Sequence, residues 1–337
     1  MFWLLLILLL VLLLPFTMKS VEQNLEIFLF LMGIWAVLIS QVVDIPLIIK
    51  SVKDPIHISL AVLFAGILFK WMQVPIEKGI LRTSKAVPHR LFLGSIVITL
   101  GLLSSIITAI IAAIILVSIV GVLRLDRKSE VRFVVLACFS IGLGAALTPI
   151  GEPLSTIATS KLNEDFFFLM KLIGPAVIPA VFIFGILAAM LIHPKKKMNT
   201  LPPKRKIESY TEIIIRSIKV YLFVMALTLL GAGFEPLITA YLLDTSPLML
   251  YWINMISAVL DNATLASAEI SPSMTPQTIK AILLGLLISG GMLIPGNIPN
   301  IIAAGKLNIT SIEWARFGVP IGFITMAMYF IVLVIYG

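Results

Sequence analysis

The chain has 337 residues, of which 60% are hydrophobic and 12% charged, with a formal net charge of +8. Soluble domains carry about 25% charged residues, so a water-soluble globular fold is excluded. The single thiol, Cys138, excludes an intramolecular disulfide and a multi-cysteine metal cluster. At about 20 residues per crossing, the apolar material suffices for about eight to ten spanning helices. The expected class is an all-α polytopic membrane protein.

Phe2 to Met18 is nearly pure Leu and Ile. No basic residue precedes it, Lys19 follows it and no small-x-small cleavage site appears, so it reads as a retained first helix rather than a signal peptide. Leu25 to Val43 and Ile56 to Met72 are each about as long as a crossing requires. Val74 to Arg90, with Pro75, Gly79, Pro88 and the basic Lys78, Arg82, Lys85 and Arg90, reads as an interfacial connection. Leu91 to Leu123 holds no charge. As one helix it would be about 50 Å long against a hydrocarbon core of about 30 Å, and two full crossings would need about 40 residues plus a turn. A re-entrant hairpin of two half-helices fits, its tip near Ser104, Ser105 and Thr108; a tilted or kinked helix is the alternative.

Arg124 to Arg132 is expected to be a basic loop, followed by the apolar run Phe133 to Leu147. Then comes Thr148-Pro149-Ile150-Gly151-Glu152-Pro153-Leu154-Ser155, with apolar residues to about Leu162. Each proline removes a donor and clashes with the preceding turn, so two of them four apart around a glycine predict a broken helix with an unwound middle. An ordinary crossing is expected from Phe166 to Ile192. His193 to Tyr210 carries Lys195, Lys196, Lys197, Lys204, Arg205 and Lys206 without interleaved aromatics, which argues against a nucleic-acid partner. Under the positive-inside rule this segment is a cytoplasmic loop of a plasma-membrane protein.

The two sides of that loop match in content. Leu147-Thr148-Pro149…Pro153…Lys161-Leu162-Asn163 lines up with Leu293-Ile294-Pro295…Pro299…Lys306-Leu307-Asn308, with a one-residue gap between the prolines and the Lys-Leu-Asn end. Upstream, Ser104 lines up with Ser257, Thr108 with Asp261 and Ala109 with Asn262. Each unit would be a span, a hairpin, a broken helix and a span, an odd number of crossings that inserts the second unit upside down. The second hairpin is the weaker reading, since Leu248 to Glu269 also fits a single polar-ended span. The expected division is N-terminal scaffold helices at 1–54, a first inverted repeat at 55–193, a basic cytoplasmic loop at 194–211 and a second inverted repeat at 212–337.

Among the carboxylates, Glu152 and Asp261 stand within the interrupted segments. A charge at the centre of a bilayer helix costs about 2.5–3.5 kcal/mol on insertion scales, so such residues face a cavity or pair with freed backbone donors. A carboxylate that holds a proton or a cation in turn is the minimal machinery of an antiporter. Asn262, Thr264, Thr148, Ser155, Asn297 and Asn300 supply neutral oxygens of the type hard cations accept, with Ser104 and Thr108 at the first hairpin tip. Half-helix N-termini equally suit an anion, which keeps an anion carrier open. Lys161 and Lys306 end the broken helices and read as snorkelling. Glu269, Glu235, Asp244 and Asp44 lie near segment ends, where solvated or capping roles are expected. The three histidines (His57, His89, His193) fall at interfaces and do not suggest a metal site, and hydrolase and phosphate-loop motifs are absent, so an enzyme is not expected.

Thr148-Pro149-Ile150-Gly151-Glu152, and Asp261-Asn262-Ala263-Thr264 after Ser257, resemble the paired motifs of the ion transporter superfamily. NhaD-type sodium/proton antiporters of that group carry a similar Thr-Pro-Ile-Gly-acid segment and an Asp-Asn segment, while divalent-anion/sodium symporters show a Ser-Asn-Thr tip and a Thr-Pro-x-Gly loop. The resemblance covers 91–163 and 247–308. It implies inverted repeats, two hairpins, two broken helices and a homodimer. It also implies that Glu152 and Asp261 match acidic positions and that Thr148, Asn262 and Thr264 match polar site positions, with sodium held at Asp261 and Asn262. The tip Ser104-Ser105-Ile106-Ile107-Thr108 lacks the Asp-Asn or Asn-Thr pair of both groups. The expected function is a sodium/proton antiporter working by alternating access. Its partners would be the lipid bilayer, protons and a small inorganic cation, with no cofactor beyond sodium as substrate. A sodium-coupled carrier of an organic anion or amino acid is the alternative.

Overall fold

The computed structural model describes residues 2–18, 20–21, 24–53, 55–56, 59–60, 62–64, 67, 70–71, 88–123, 125–192, 209–242, 246–259, 262–272 and 274–336. The described residues are 85% helix, with no strand among them. Four helices there are long and apolar enough to cross a membrane: His89–Ile107, Phe168–Leu191, Tyr210–Leu237 and Ser311–Ile335. Phe182, Ile183, Ile186 and Met190 on the second of these, and Ile324, Met328, Ile331 and Ile335 on the last, point outward, and such faces suit lipid rather than water. About half of the crossing expected at Ile56 to Met72 is described, and those residues are helical; the basic segments 74–87 and 193–208 lie outside the described residues.

Among the described residues, besides helical stretches within 45–71, the helices in chain order are α1 (Phe2–Thr17), α2 (Leu25–Ser40), α3 (His89–Ile107), α4 (Ala109–Leu123), α5 (Arg127–Ala145), α6 (Pro153–Leu162), α7 (Phe168–Leu191), α8 (Tyr210–Leu242), α9 (Pro247–Ile253), α10 (Asn262–Glu269), α11 (Pro276–Gly290), α12 (Ile298–Leu307) and α13 (Ser311–Tyr336), with a 3₁₀ turn at Asn254–Ala258. Helices α3, α5 and α7 pack on one another, and so do α9 with its 3₁₀ turn, α11 and α13. Alongside run α2 and α8, the most extensively packed pair, with Lys219 of α8 bonded to Glu26 of α2 at 2.8 Å. Between the groups the short helices cross over. α4 packs on α12, burying Ala113 and Ile302 with Val220 and Val224 of α8, while α10 packs on α6.

The expected break at Thr148–Ser155 is present: α5 ends at Ala145 and α6 starts at Pro153. A second break separates Gly290 from Ile298. The helices after the breaks are both ten residues long, both begin from an extended residue (Glu152, φ −155°; Asn297, φ −154°) and both end on a left-handed asparagine (Asn163, φ 52°; Asn308, φ 50°). These boundaries keep one offset, since 298 − 153 and 308 − 163 both give 145. The gap expected from the sequence is therefore a displacement of the prolines within a fixed frame: Pro153 is the first residue of α6 and Pro299 the second of α12. Both positions tolerate the missing N–H, because the first turn of a helix has no internal acceptor for it.

One expectation changes and one alternative falls away. Arg127 to Arg132, expected in a loop, form the first turns of α5, because the Asp126 carboxylate accepts the Ser129 N–H at 3.1 Å and caps the helix there. Leu248 to Glu269 is not one span but α9, a 3₁₀ turn and α10. The ordinary crossing expected at Phe166 to Ile192 is matched by the continuous α7, although Pro175 and Pro179 inside it are also four apart and next to Gly174. The difference is Gly151, where an added Cβ would stand 1.9 Å from the Ala145 carbonyl oxygen; at Gly174 it would meet only ordinary contacts from 3.7 Å. The chain doubles back on itself at the first site and not at the second.

Candidate functional site

The chain breaks at Thr108, which joins the 19-residue α3 to the 15-residue α4. At about 28 Å, α3 is long enough to cross alone, so its arm is more than the expected half-helix. Thr108 sits at φ 75° and ψ 151°, a region almost confined to glycine and costing about 1–3 kcal/mol for a branched residue. What holds it is the neighbouring break: the Ala109 N–H donates to the Gly151 carbonyl at 2.9 Å, and the Thr148 hydroxyl donates to the Ser105 carbonyl. The Ser104 hydroxyl is fully buried between the Gly101 carbonyl at 2.7 Å and the Ile141 carbonyl at 2.9 Å. Ser104 and Thr148 are thus spent on fastening α3 to α5 and to the break, with their hydroxyl protons committed to backbone.

Glu152, 7% exposed, is the residue from which α6 starts, and its own backbone carbonyl lies under the Thr156 hydroxyl and N–H. One turn on, Ser155 is fully buried, and its Oγ has no hydrogen-bond partner among the described residues. At the second break Asn300 holds the place equivalent to Ser155, because 300 − 155 is again 145. Its side-chain Nδ2 donates to the carbonyls of Gly290 and Leu293, both at 2.9 Å, bridging the break, and its Oδ1 is a buried acceptor without a donor among the described residues. Each half-helix therefore presents, in its first turn, one buried side-chain oxygen with unused acceptor capacity. Most buried side-chain polar atoms are paired, so two such oxygens at equivalent positions single out these first turns as the candidate site.

Asn262, 4% exposed, opens α10 and lies against Gly290, where an added Cβ would come within 2.5 Å of its Nδ2. Asn297 is half-buried and lies over Gly142 of α5, one residue from the carbonyl that Ser104 holds. The structure brings Ser104, Thr108 and Thr148 together at the first break and Asn262, Asn297 and Asn300 together at the second. Asp261 lies outside the described residues, as does the side chain of Thr264 in α10. Among the described residues no group of three or more His, Cys, Asp and Glu could hold a metal ion.

Of the end-of-segment acids, Asp44 caps a helical turn as expected, accepting the Leu47 N–H at 2.7 Å. Glu269 does not behave as expected: it is 2% exposed and accepts a hydrogen bond from the Asn254 side chain at 2.9 Å. Its sequence position, near a segment end, suggests a solvated or capping role, and the packing of α10 on α11 carries it inward. Lys161 is exposed, and its ammonium reaches the Ile270 carbonyl at 3.1 Å, tying the end of α6 to the end of α10.

A comparison with curated proteins returns no match. A family model does match, over residues 1–336, and its description is a protein of unknown function, DUF1646. The chain belongs to that family.

Proposed function

We propose that the protein is a secondary active ion transporter, a sodium/proton antiporter working by alternating access. In this reading the two halves are inverted repeats in a plasma membrane, with 194–211 on the cytoplasmic side and a homodimer as the working form. The observation that carries it is the buried acid at a helix break: Glu152 opens α6 one turn before the unsatisfied Ser155 oxygen. Asn300 offers a second such oxygen at the equivalent place after the other break. A carboxylate, a hydroxyl and amide oxygens are what a hard monovalent cation accepts, and protonation of the carboxylate removes the strongest of them. Cation and proton then exclude each other. Asp261, adjacent in sequence to Asn262, supplies the second acid and with it a sodium position.

The test is proton movement in proteoliposomes challenged with sodium, lithium, potassium and calcium. Sodium-driven proton release is expected from the wild type and lost in Glu152→Gln and in Asp261→Asn, with both variants still folded. Exchange retained in either variant overturns the role given to that acid. Binding of an organic anion or amino acid that sodium strengthens, without proton competition, would favour a sodium-coupled carrier instead.

A further inference from the structure

Away from both breaks, Asn254 and Glu269 form a buried polar pair in a wall of apolar side chains. Asn254, fully buried, stands where α9 passes into the 3₁₀ turn, and Glu269 is the last residue of α10. Asn254 Nδ2 donates to Glu269 Oε2 at 2.9 Å. The pair is fixed against α11: the Ser289 hydroxyl donates to the Asn254 carbonyl at 2.7 Å, and Gly285 leaves room for the Asn254 Cβ. Two acceptors remain without a donor among the described residues, Glu269 Oε1 and Asn254 Oδ1.

Among the described residues none supplies a counter-charge. Helix α10 packs against α6, α8 and α11. Of the charged groups on those elements, Lys161 of α6 binds the Ile270 carbonyl, Lys219 of α8 is held by Glu26, and Glu152, Glu212 and Glu235 are themselves acids. Lys280 of α11 makes no ion pair with Glu269, and the Arg216 side chain of α8 lies outside the described residues. A carboxylate buried with one neutral donor and no cation is costly, whereas a carboxylic acid is not. One proton on Oε1 turns that atom from an acceptor lacking a donor into a donor, with Asn254 Oδ1 the acceptor awaiting one.

The pair has no counterpart in the first half. The offset of 153 that aligns the start of α4 at Ala109 with that of α10 at Asn262 sets Gly101 opposite Asn254 and Leu116 opposite Glu269. The first half closes the same place with a glycine and a fully buried leucine.

We infer that Glu269, held by Asn254, is a second proton-binding site, separate from the cation site at the breaks and reached from the end of α10 where Lys161 fastens α6. The step is the addition of one proton to Oε1 and its release, with no other bond made or broken. Its use in transport rests on the antiport reading, but its protonation does not.

The experiment is infrared difference spectroscopy of the full chain in lipid vesicles between acidic and alkaline buffers, in potassium and then in sodium. A protonated-carboxyl band is expected that Glu269→Gln removes, Glu152→Gln leaves, and Asn254→Ser moves in frequency. A band unchanged by Glu269→Gln overturns the inference, as does a sodium-dependent midpoint that this variant abolishes. If Glu269→Gln does not fold, Asn254→Ser decides: an unmoved band refutes the pairing. Loss of antiport with the Glu269 band intact would refute the transport reading alone.

Discussion

Gly144→Ala probes the contact on which the first site is built. An added Cβ would stand 1.8 Å from the Gly101 carbonyl oxygen, 2.6 Å from its carbon and 3.1 Å from Ser104 Oγ. Two of these are backbone atoms of a packed helix, which no rotamer change can move. Since non-bonded atoms prefer roughly 3.5 Å, α3 has to retreat from α5 by more than about 1 Å, and a gap of that size forfeits up to half the local dispersion energy. Overpacking costs about 1–3 kcal/mol, and backbone contact places this case at the upper end. The retreat also stretches the Ser104 bond across to the Ile141 carbonyl, worth about 1 kcal/mol. A loss of about 3–4 kcal/mol is expected, read as a lower unfolding midpoint in detergent. Gly305→Ala in α12 is the control: nothing lies within 4 Å of its added Cβ, so helix propensity alone stabilises by about 0.5–1 kcal/mol. If Gly144→Ala unfolds at the wild-type midpoint, or the two variants shift alike, the close approach of α3 and α5 is not what holds the tip.

Thr108→Gly relieves the positive φ and is expected to stabilise by about 1 kcal/mol while impairing exchange; a lower midpoint in thermal unfolding counts against strain at the tip. Asn300→Ala frees the buried Gly290 and Leu293 carbonyls and should cost about 3 kcal/mol, with any sodium-dependent rise in melting temperature lost; an unaltered sodium response removes Asn300 from the site. Asp126→Ala should cost about 1 kcal/mol through the lost cap. Hydrogen bonds from Ser129 hold the Asp126 carboxyl below the usual aspartate range, so this contribution is present above that range and fades as pH falls through it. The wild-type and Asp126→Ala midpoints should therefore converge in acid; a constant difference refutes the cap. Arg127→Lys cannot span both Glu313 oxygens and the Leu307 and Asn308 carbonyls, and should destabilise by about 1 kcal/mol, an amount that salt reduces. A loss unaffected by ionic strength would place the effect elsewhere.

The helical class and the first break were legible because hydropathy and the Pro-Gly-acid-Pro pattern report local chemistry. The capped start of α5 was also written in Asp126 and Ser129, but the basic residues around them read as loop. The continuity of α7 was read from its hydropathy, not from Pro175 and Pro179, since whether a proline breaks a helix depends on what the backbone must approach. At Gly151 that is the Ala145 carbonyl, and in α7 the Tyr329 hydroxyl reaches the Ala176 carbonyl instead. Glu152, Ser155 and Asn300 stood out in the sequence by their place in the breaks, and all three are buried. Glu269 was missed because its burial is set by a neighbour fifteen residues away, Asn254, and by the packing of α10 on α11.

The crossed packing of α4 on α12 and of α10 on α6 has a consequence for biogenesis. Ala113 is covered by Ile302, which a ribosome reaches nearly two hundred codons later, so the amino-terminal half enters the bilayer with that flank bare. Until the carboxy-terminal half arrives, lipid or a membrane chaperone has to occupy it, and severing the two coding halves would yield fragments that mature only when they meet.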